Sequence, residues 1–231
     1  VGASLRVGGT SVTFAVEGVD QTLVAAPAYF TFVSSDVAVA TVAPDGLITL
    51  VGSGSASITA QLGTTPATGT VTLLSVAPPA VAAPVPTDSA VNVISLYSNA
   101  YTNNTVDTWS AGFDQADVAD VQIAGDDAKK YTNLAFAGIE FISQQVNATA
   151  MDGFHLDLFV QNAGQFKIKL VDFGANGAFG GGDDSEHELT LTTSSSPAIT
   201  SGSWSSLDIP FSSFPGLTSR AHLAQIIISG S

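Results

Sequence analysis

The stretch FHLDLFVQNAGQFKIKLVDFGANGAFGGGDDSEHELTL, Phe154 to Leu191, decides how this chain is read. Its apolar residues recur at every second position. Phe154, Leu156, Leu158 and Val160 alternate with His155, Asp157 and Phe159. Phe166, Ile168 and Leu170 alternate with Lys167 and Lys169, and Leu189 and Leu191 alternate with Glu186, Glu188 and Thr190. Successive side chains of a strand point to opposite faces, so a period of two predicts three strands with one apolar face each. A short loop joins the first two, and a glycine-rich loop, GANGAFGGGDDS, joins the last two. The stretch is expected to form one sheet. Its polar face would then gather His155, Asp157, Phe159, Lys167, Lys169, Glu186 and Glu188 in one small area, a candidate ligand platform.

Working outward, the whole chain has the composition of a β protein. Of its 231 residues 45% are hydrophobic, enough for real cores, and only 11% are charged, so its surface must be solvated largely by hydroxyls. The net charge is −14, with about −3 in the first 78 residues and about −11 in the rest. Such a chain repels phosphate backbones, which argues against nucleic acid as a partner. No apolar run approaches the ~20 residues that span a bilayer, so direct membrane insertion is not expected. The absence of cysteine excludes disulfides and thiolate metal sites. The abrupt start at Val1 suggests part of a larger, multimodular protein.

Residues 1–77 hold short β-rich runs: SVTFAV, YFTFV, AVATV, LITLV, SASITAQL and GTVTLLSV. Asp45-Gly46, between VATVAP and LITLVG, marks a hairpin. Several short strands in so few residues predict a small β-sandwich. VAPPAVAAPVP (76–86) reads as a linker, proline-rich over 78–86, whose eleven residues would act as a semi-rigid spacer of roughly 30 Å at ~3.1 Å per residue. Residues 87–231 form a second all-β unit. Further strands are expected at VNVISLYS (91–98), DVADVQIA (117–124), AFAGIEFI (135–142), WSSLDIPF (204–211) and AQIIISG (224–230), with single helical turns at 148–154 and 219–224.

Two resemblances refine this. SSDVAVATVAPDGLITLVGSGSASITA (34–60) resembles the bacterial Ig-like domains of group 2, which implies an Ig-like β-sandwich serving as an extracellular spacer or adhesion module. Val33 stands where that family often has a buried Trp, so Phe30 or Phe32 would refill the volume. VISLYSNAYTNNTVDTW, KKYTNLAFAGIEF, KIKLVDFGANGAFGGGDDSEHELT and GSWSSLDIPFSSFPGL resemble a family of non-catalytic carbohydrate-binding modules. These modules sit beside family 16 laminarinases and in surface glycan-binding proteins of marine Bacteroidetes. The resemblance implies a jelly-roll β-sandwich, polysaccharide binding without cleavage, β-glucan such as laminarin as ligand, and an extracellular or outer-membrane location. The family continues into one more strand, whose Asp often ligates structural calcium; here the chain stops at Ser231, which would leave a sheet edge unpaired. Phe159 stands where relatives often carry Trp.

Sugar binding needs flat aromatic rings and planar polar groups. Trp109 and Tyr131 are the candidate rim aromatics, to stand beside His155, Asp157, Phe159, Lys167, Lys169 and Glu188; on this reading Trp109 and Phe159 lie on one side. Asn99, Asp172, Asp183, Asp184 and Glu186 are the hard oxygen donors proposed for a structural calcium. Glu186 and Glu188 are neighbours on one strand and approach any ligand from the same side, unlike the flanking carboxylates of a glycosidase, so no catalytic residues are assigned. The alternative function is a structural or adhesive surface protein that binds protein or self-assembles through an open β-edge.

Overall fold

The computed structural model describes residues 2–161 and 164–230, and among these the chain is all-β. It divides into two compact units, one ending at Pro78 and one beginning at Pro79.

In the first unit, strands β1 (Ser4–Arg6), β5 (Ala40–Val42) and β6 (Leu47–Leu50) make a three-stranded antiparallel sheet in the order β1-β6-β5. A second sheet places β7 (Gly54–Leu62) between β4 (Thr31–Ser34) and β9 (Val71–Ser75), with a short pairing to β8 (Thr65–Pro66). Ala40 and Ile48 from one sheet meet Ala56 and Ile58 from the other, with Val39, in a buried core. The Asp45-Gly46 hairpin forms as expected: Gly46 N–H donates to Ala43 O at 2.9 Å, and Gly46 takes φ +79°, which costs glycine nothing. Phe30 is buried and Phe32 packs on the core, whereas Val33 is 53% exposed. The hairpin β2 (Ser11–Val16) and β3 (Val19–Val24) pairs only with itself among the described residues.

The second unit packs a five-stranded antiparallel sheet on a two-stranded one. The larger sheet runs β10-β11-β16-β13-β14, from β10 (Gln115–Ile123), β11 (Asp126–Glu140), β16 (Leu223–Gly230), β13 (Gln165–Asp172) and β14 (Ser185–Thr192). The smaller pairs β12 (Gly153–Phe159) with β15 (Trp204–Pro210). Ile168, Leu170, Leu191, Ile226 and Ile228 from the large sheet meet Leu207 and Ile209 from the small one, with Phe154, Leu156 and Leu158 alongside. This is a β-sandwich built from alternating inward positions.

Three expectations are corrected. First, the stretch 154–191 does form three strands with the predicted alternation, but they do not share a sheet. From β11 onward the chain crosses to the small sheet at β12, returns for β13 and β14, crosses again at β15 and returns at β16. Periodicity fixes which residues face the core; it carries no information on which strand is the neighbour. Second, residues 91–98 are not a strand: a 3₁₀ turn at Ala90–Asn92 and a single bridge, Ser95 to Asn103, stand there. Third, the helical turns lie at Ile142–Gln144 and Phe211–Ser213, not at 148–154 or 219–224. Neither β12 nor β15 pairs with a third strand among the described residues.

Candidate functional site

The outward face of the large sheet follows from register, because residues opposite each other across antiparallel strands share a face. One row runs Gly138, Ile227, Lys169, Glu188; the next runs Glu140, Gln225, Val171, Glu186. Lys169 Nζ donates to Glu186 at 2.9 Å and Lys167 Nζ to Glu188 at 2.8 Å, both diagonally across the strand pair. Half-exposed pairs of this kind contribute about 0.2–1 kcal/mol each, so they order the face more than they stabilise the fold. Gln225 Nε2 donates to Glu140 Oε1 at 2.6 Å.

Two aromatic rings flank these polar rows. Phe113 lies over Gly138: a Cβ at Gly138 would stand 2.6 Å from the ring, so the glycine is what lets the ring sit against the sheet. Half of Phe113 remains exposed. On the other side Phe173, Val171, Ala224 and Ile227 form a small cluster on this outward face. Phe179 packs on Phe173 with ring centroids 5.7 Å apart and is itself 72% exposed.

Phe179 is carried by the glycine-rich loop, which is held from within. Asp183 accepts from the backbone N–H and the side-chain amide of Asn176, at 3.0 and 2.7 Å. Asp184 accepts from Gly180 N–H at 2.6 Å, and Gln145 donates to Gly177 O at 2.6 Å. Of the acids named for calcium, Asp183 is thus bonded within the loop, while Asp184 keeps its buried Oδ1 without a hydrogen-bond partner among the described residues. Asp172 is fully buried, with one oxygen accepting from Gly174 N–H at 2.9 Å and the other from His222 N–H at 2.7 Å. Glu186 is paired with Lys169, and Asn99 stands exposed in a separate turn. No group of three acidic or histidine side chains converges among the described residues.

The remaining candidates fall into two other clusters. His155, Asp157 and Phe159 project from the outward face of the small sheet, not beside the lysines, because β12 pairs with β15. His155 Nδ1 lies 2.7 Å from Asp208 and its Nε2 lies 3.3 Å from Asp157. Burial disfavours the charged imidazole, but the hydrogen bonds to Asp208 and Asp157 outweigh it and raise the His155 pKa above its ordinary value. Phe159 meets Trp204 edge-on at 5.7 Å, and Trp204 Nε1 donates to Val81 O at 2.9 Å.

Trp109 and Tyr131 pack against the main core. Tyr131 Oη donates to Trp109 O at 2.7 Å, and burial first, then Asp114 and Asp120, push its phenol well above the usual range. Lys129, paired with Asp120, stands over the rings of both Trp109 and Tyr97, at 4.9 and 5.0 Å. Trp109 and Phe159 therefore belong to separate clusters with different ring partners, and the expected single aromatic face does not form.

The sequence reading missed Phe113, Phe179, Gln225 and Glu140. The available signals were a glycine inside a strand, which marks close approach, and an aromatic residue embedded in glycines. No protein-family model matches the chain, and no curated protein matches it.

Proposed function

We propose that the second unit binds extracellular polysaccharide without cleaving it, on the outward face of the large sheet, and that the first unit is a spacer. The observation that carries this is the pair of exposed rings, Phe113 and Phe179, on the outward face that also carries Lys169, Glu186 and Glu140, the last held by the buried Gln225. Rings stack on the C–H faces of pyranoses, and charged groups already held in place make strong, oriented hydrogen bonds to hydroxyls. A flat face with fixed donors suits a long polymer better than a small molecule, which needs an enclosing cavity. The sequence resemblance points to β-glucan such as laminarin as the ligand class and to a cell-surface or secreted location. The carboxylates support binding only: Glu186 and Glu188 share one strand and one face.

The test is affinity electrophoresis of the whole chain in gels containing laminarin, mixed-linkage glucan, pustulan, alginate or xylan. Retardation by at least one β-glucan, abolished in a Phe113→Ala/Phe179→Ala double variant of unchanged melting temperature, is the expected result. Equal retardation of that variant would move the site elsewhere.

A second reading has its own observation. The β2–β3 hairpin exposes Phe14, Val19 and Leu23, and the outer edges of β12 and β15 pair with no further strand among the described residues. A protein that self-assembles through such elements would show concentration-dependent oligomers and no retardation by any glycan.

A further inference from the structure

The described residues contain a second polar site, unrelated to the sheet face. An open pocket of about 330 Å³ is lined by Thr149, Leu217, Thr218, Ser219 and Arg220. Its walls are fixed by the backbone: Leu217 N–H donates to Phe214 O at 3.0 Å, Ala148 N–H to Arg220 O at 2.7 Å, and Ser219 N–H to Ser185 Oγ at 3.4 Å. Arg220 is held in turn. Its guanidinium lies over the Phe211 ring at 4.7 Å, and Nη2 donates to Thr149 O at 3.3 Å.

The chain has 20 acidic residues against six basic ones. Arg6, Lys129, Lys167 and Lys169 each have a carboxylate partner, and among the described residues the exposed Lys130 and Arg220 have none. Among the described residues no carboxylate reaches Arg220, although acids outnumber bases threefold. Neither its buried Nε nor its Nη1 has a hydrogen-bond partner among the described residues. A guanidinium is a planar fork of donors that cannot lose its charge, and leaving such donors unpaired is costly. Hydroxyls complete the lining. Ser219 Oγ accepts from Ala221 N–H at 3.2 Å and keeps its own proton to donate, and the exposed Thr218 hydroxyl is unpartnered among the described residues.

From this we infer that the pocket takes an oxyanion, a carboxylate or sulfate group, with Arg220 as the charged donor and Thr218 and Ser219 as hydroxyl donors. Charge-assisted hydrogen bonds from a guanidinium and two hydroxyls match the acceptor pattern of such a group, and its negative charge adds an attraction that a neutral sugar lacks. The anion is either a small free ion or a group borne by an acidic glycan. The inference does not depend on the sheet-face reading.

Because the chain has only two arginines, the Nε–H region of its ¹H–¹⁵N spectrum is a direct readout. An Arg6→Lys variant assigns the two signals. The whole chain is titrated with acetate, sulfate, glucuronate and a polyuronate at mildly acidic pH, with ionic strength held constant by chloride. The Arg220 signal is expected to shift and saturate in the millimolar range, while the Arg6 signal does not saturate. Thr218→Val and Ser219→Ala, neither of which removes a core group, should each weaken the response roughly two- to tenfold. Tighter binding of polyuronate than of glucuronate assigns the anion to a glycan; saturation by acetate or sulfate without that gain assigns it to a free ion, and either sustains the pocket. Absence of saturation with every anion overturns it, as does a saturation that both hydroxyl variants leave unchanged. Loss of glycan retardation in the Phe113/Phe179 variant with this response intact would separate the two sites.

Discussion

Phe179 illustrates how a single residue is made available for binding. A ring 72% exposed loses hydrophobic stabilisation relative to a buried one, yet it is held in place by Phe173 beneath it and by a loop whose bonds are internal. Removing it should therefore leave the fold intact. Phe179→Ala is expected to weaken glycan binding by roughly two- to tenfold, from about 0.5–1.5 kcal/mol of stacking, with no change in melting temperature; isothermal titration calorimetry beside a thermal melt measures both. Gly138 is the opposite case. Ala there would push a methyl group into the Phe113 ring, and overpacking of this kind costs about 1–3 kcal/mol. The Gly138→Ala protein should melt lower and bind glycan more weakly. Because that methyl would also stand 2.9 Å from Ala111 Cβ, adding Phe113→Ala should recover only part of the stability and none of the binding, which a thermal melt beside affinity electrophoresis measures.

At the scale of elements, the β12–β15 ribbon carries a titrating link. The His155 pKa is raised by Asp208 and Asp157. A raised histidine pKa means the folded state binds the proton more tightly than the unfolded one, whose value lies near 6.5. The link is thus fully present below that value and is lost as pH rises through the folded value. The melting temperature of the second unit should fall across this window, and Asp208→Asn should flatten the fall; an identical pH profile in the variant would exclude the link.

How far these elements were legible is clearest in the same ribbon. The alternation of Phe154, Leu156 and Leu158 with His155, Asp157 and Phe159 correctly divides core from surface. The partner strand was not legible, because a two-residue period is satisfied equally by β13 and by β15. The long β11 was seen only at its C-terminal end: Asn133, at φ +51°, and a register shift beside Gln115 and Asp117 interrupt the pattern. Lys167, Lys169, Glu186 and Glu188 were correctly grouped because they lie on strands that do pair. Phe113 and Phe179 sit outside any strand, where periodicity says nothing.

On the scale of the molecule, each unit has its own core, Ile48 being fully buried in one and Leu207 in the other. Truncating either to Ala should cost about 2–5 kcal/mol. In differential scanning calorimetry, Ile48→Ala should lower one transition and Leu207→Ala the other, by roughly 2–4 °C per kcal/mol in a unit of the second's size. If each substitution shifted both transitions together, the two cores would not be independent. The charge of −14 adds a further expectation: retention by a neutral glycan should be little affected by salt, since no counterions are released from the ligand.

The two tryptophans have a consequence for anyone looking for the ligand. Trp109 packs against the core beneath Lys129, and Trp204 sits with Phe159 on the small sheet, bonded to Val81. The rings that flank the proposed binding face are both phenylalanines. Seen through indole emission, that face is dark. A glycan could saturate it without altering either tryptophan's spectrum, so screening by intrinsic fluorescence would pass over true ligands that heat, mobility or nuclear resonance would detect.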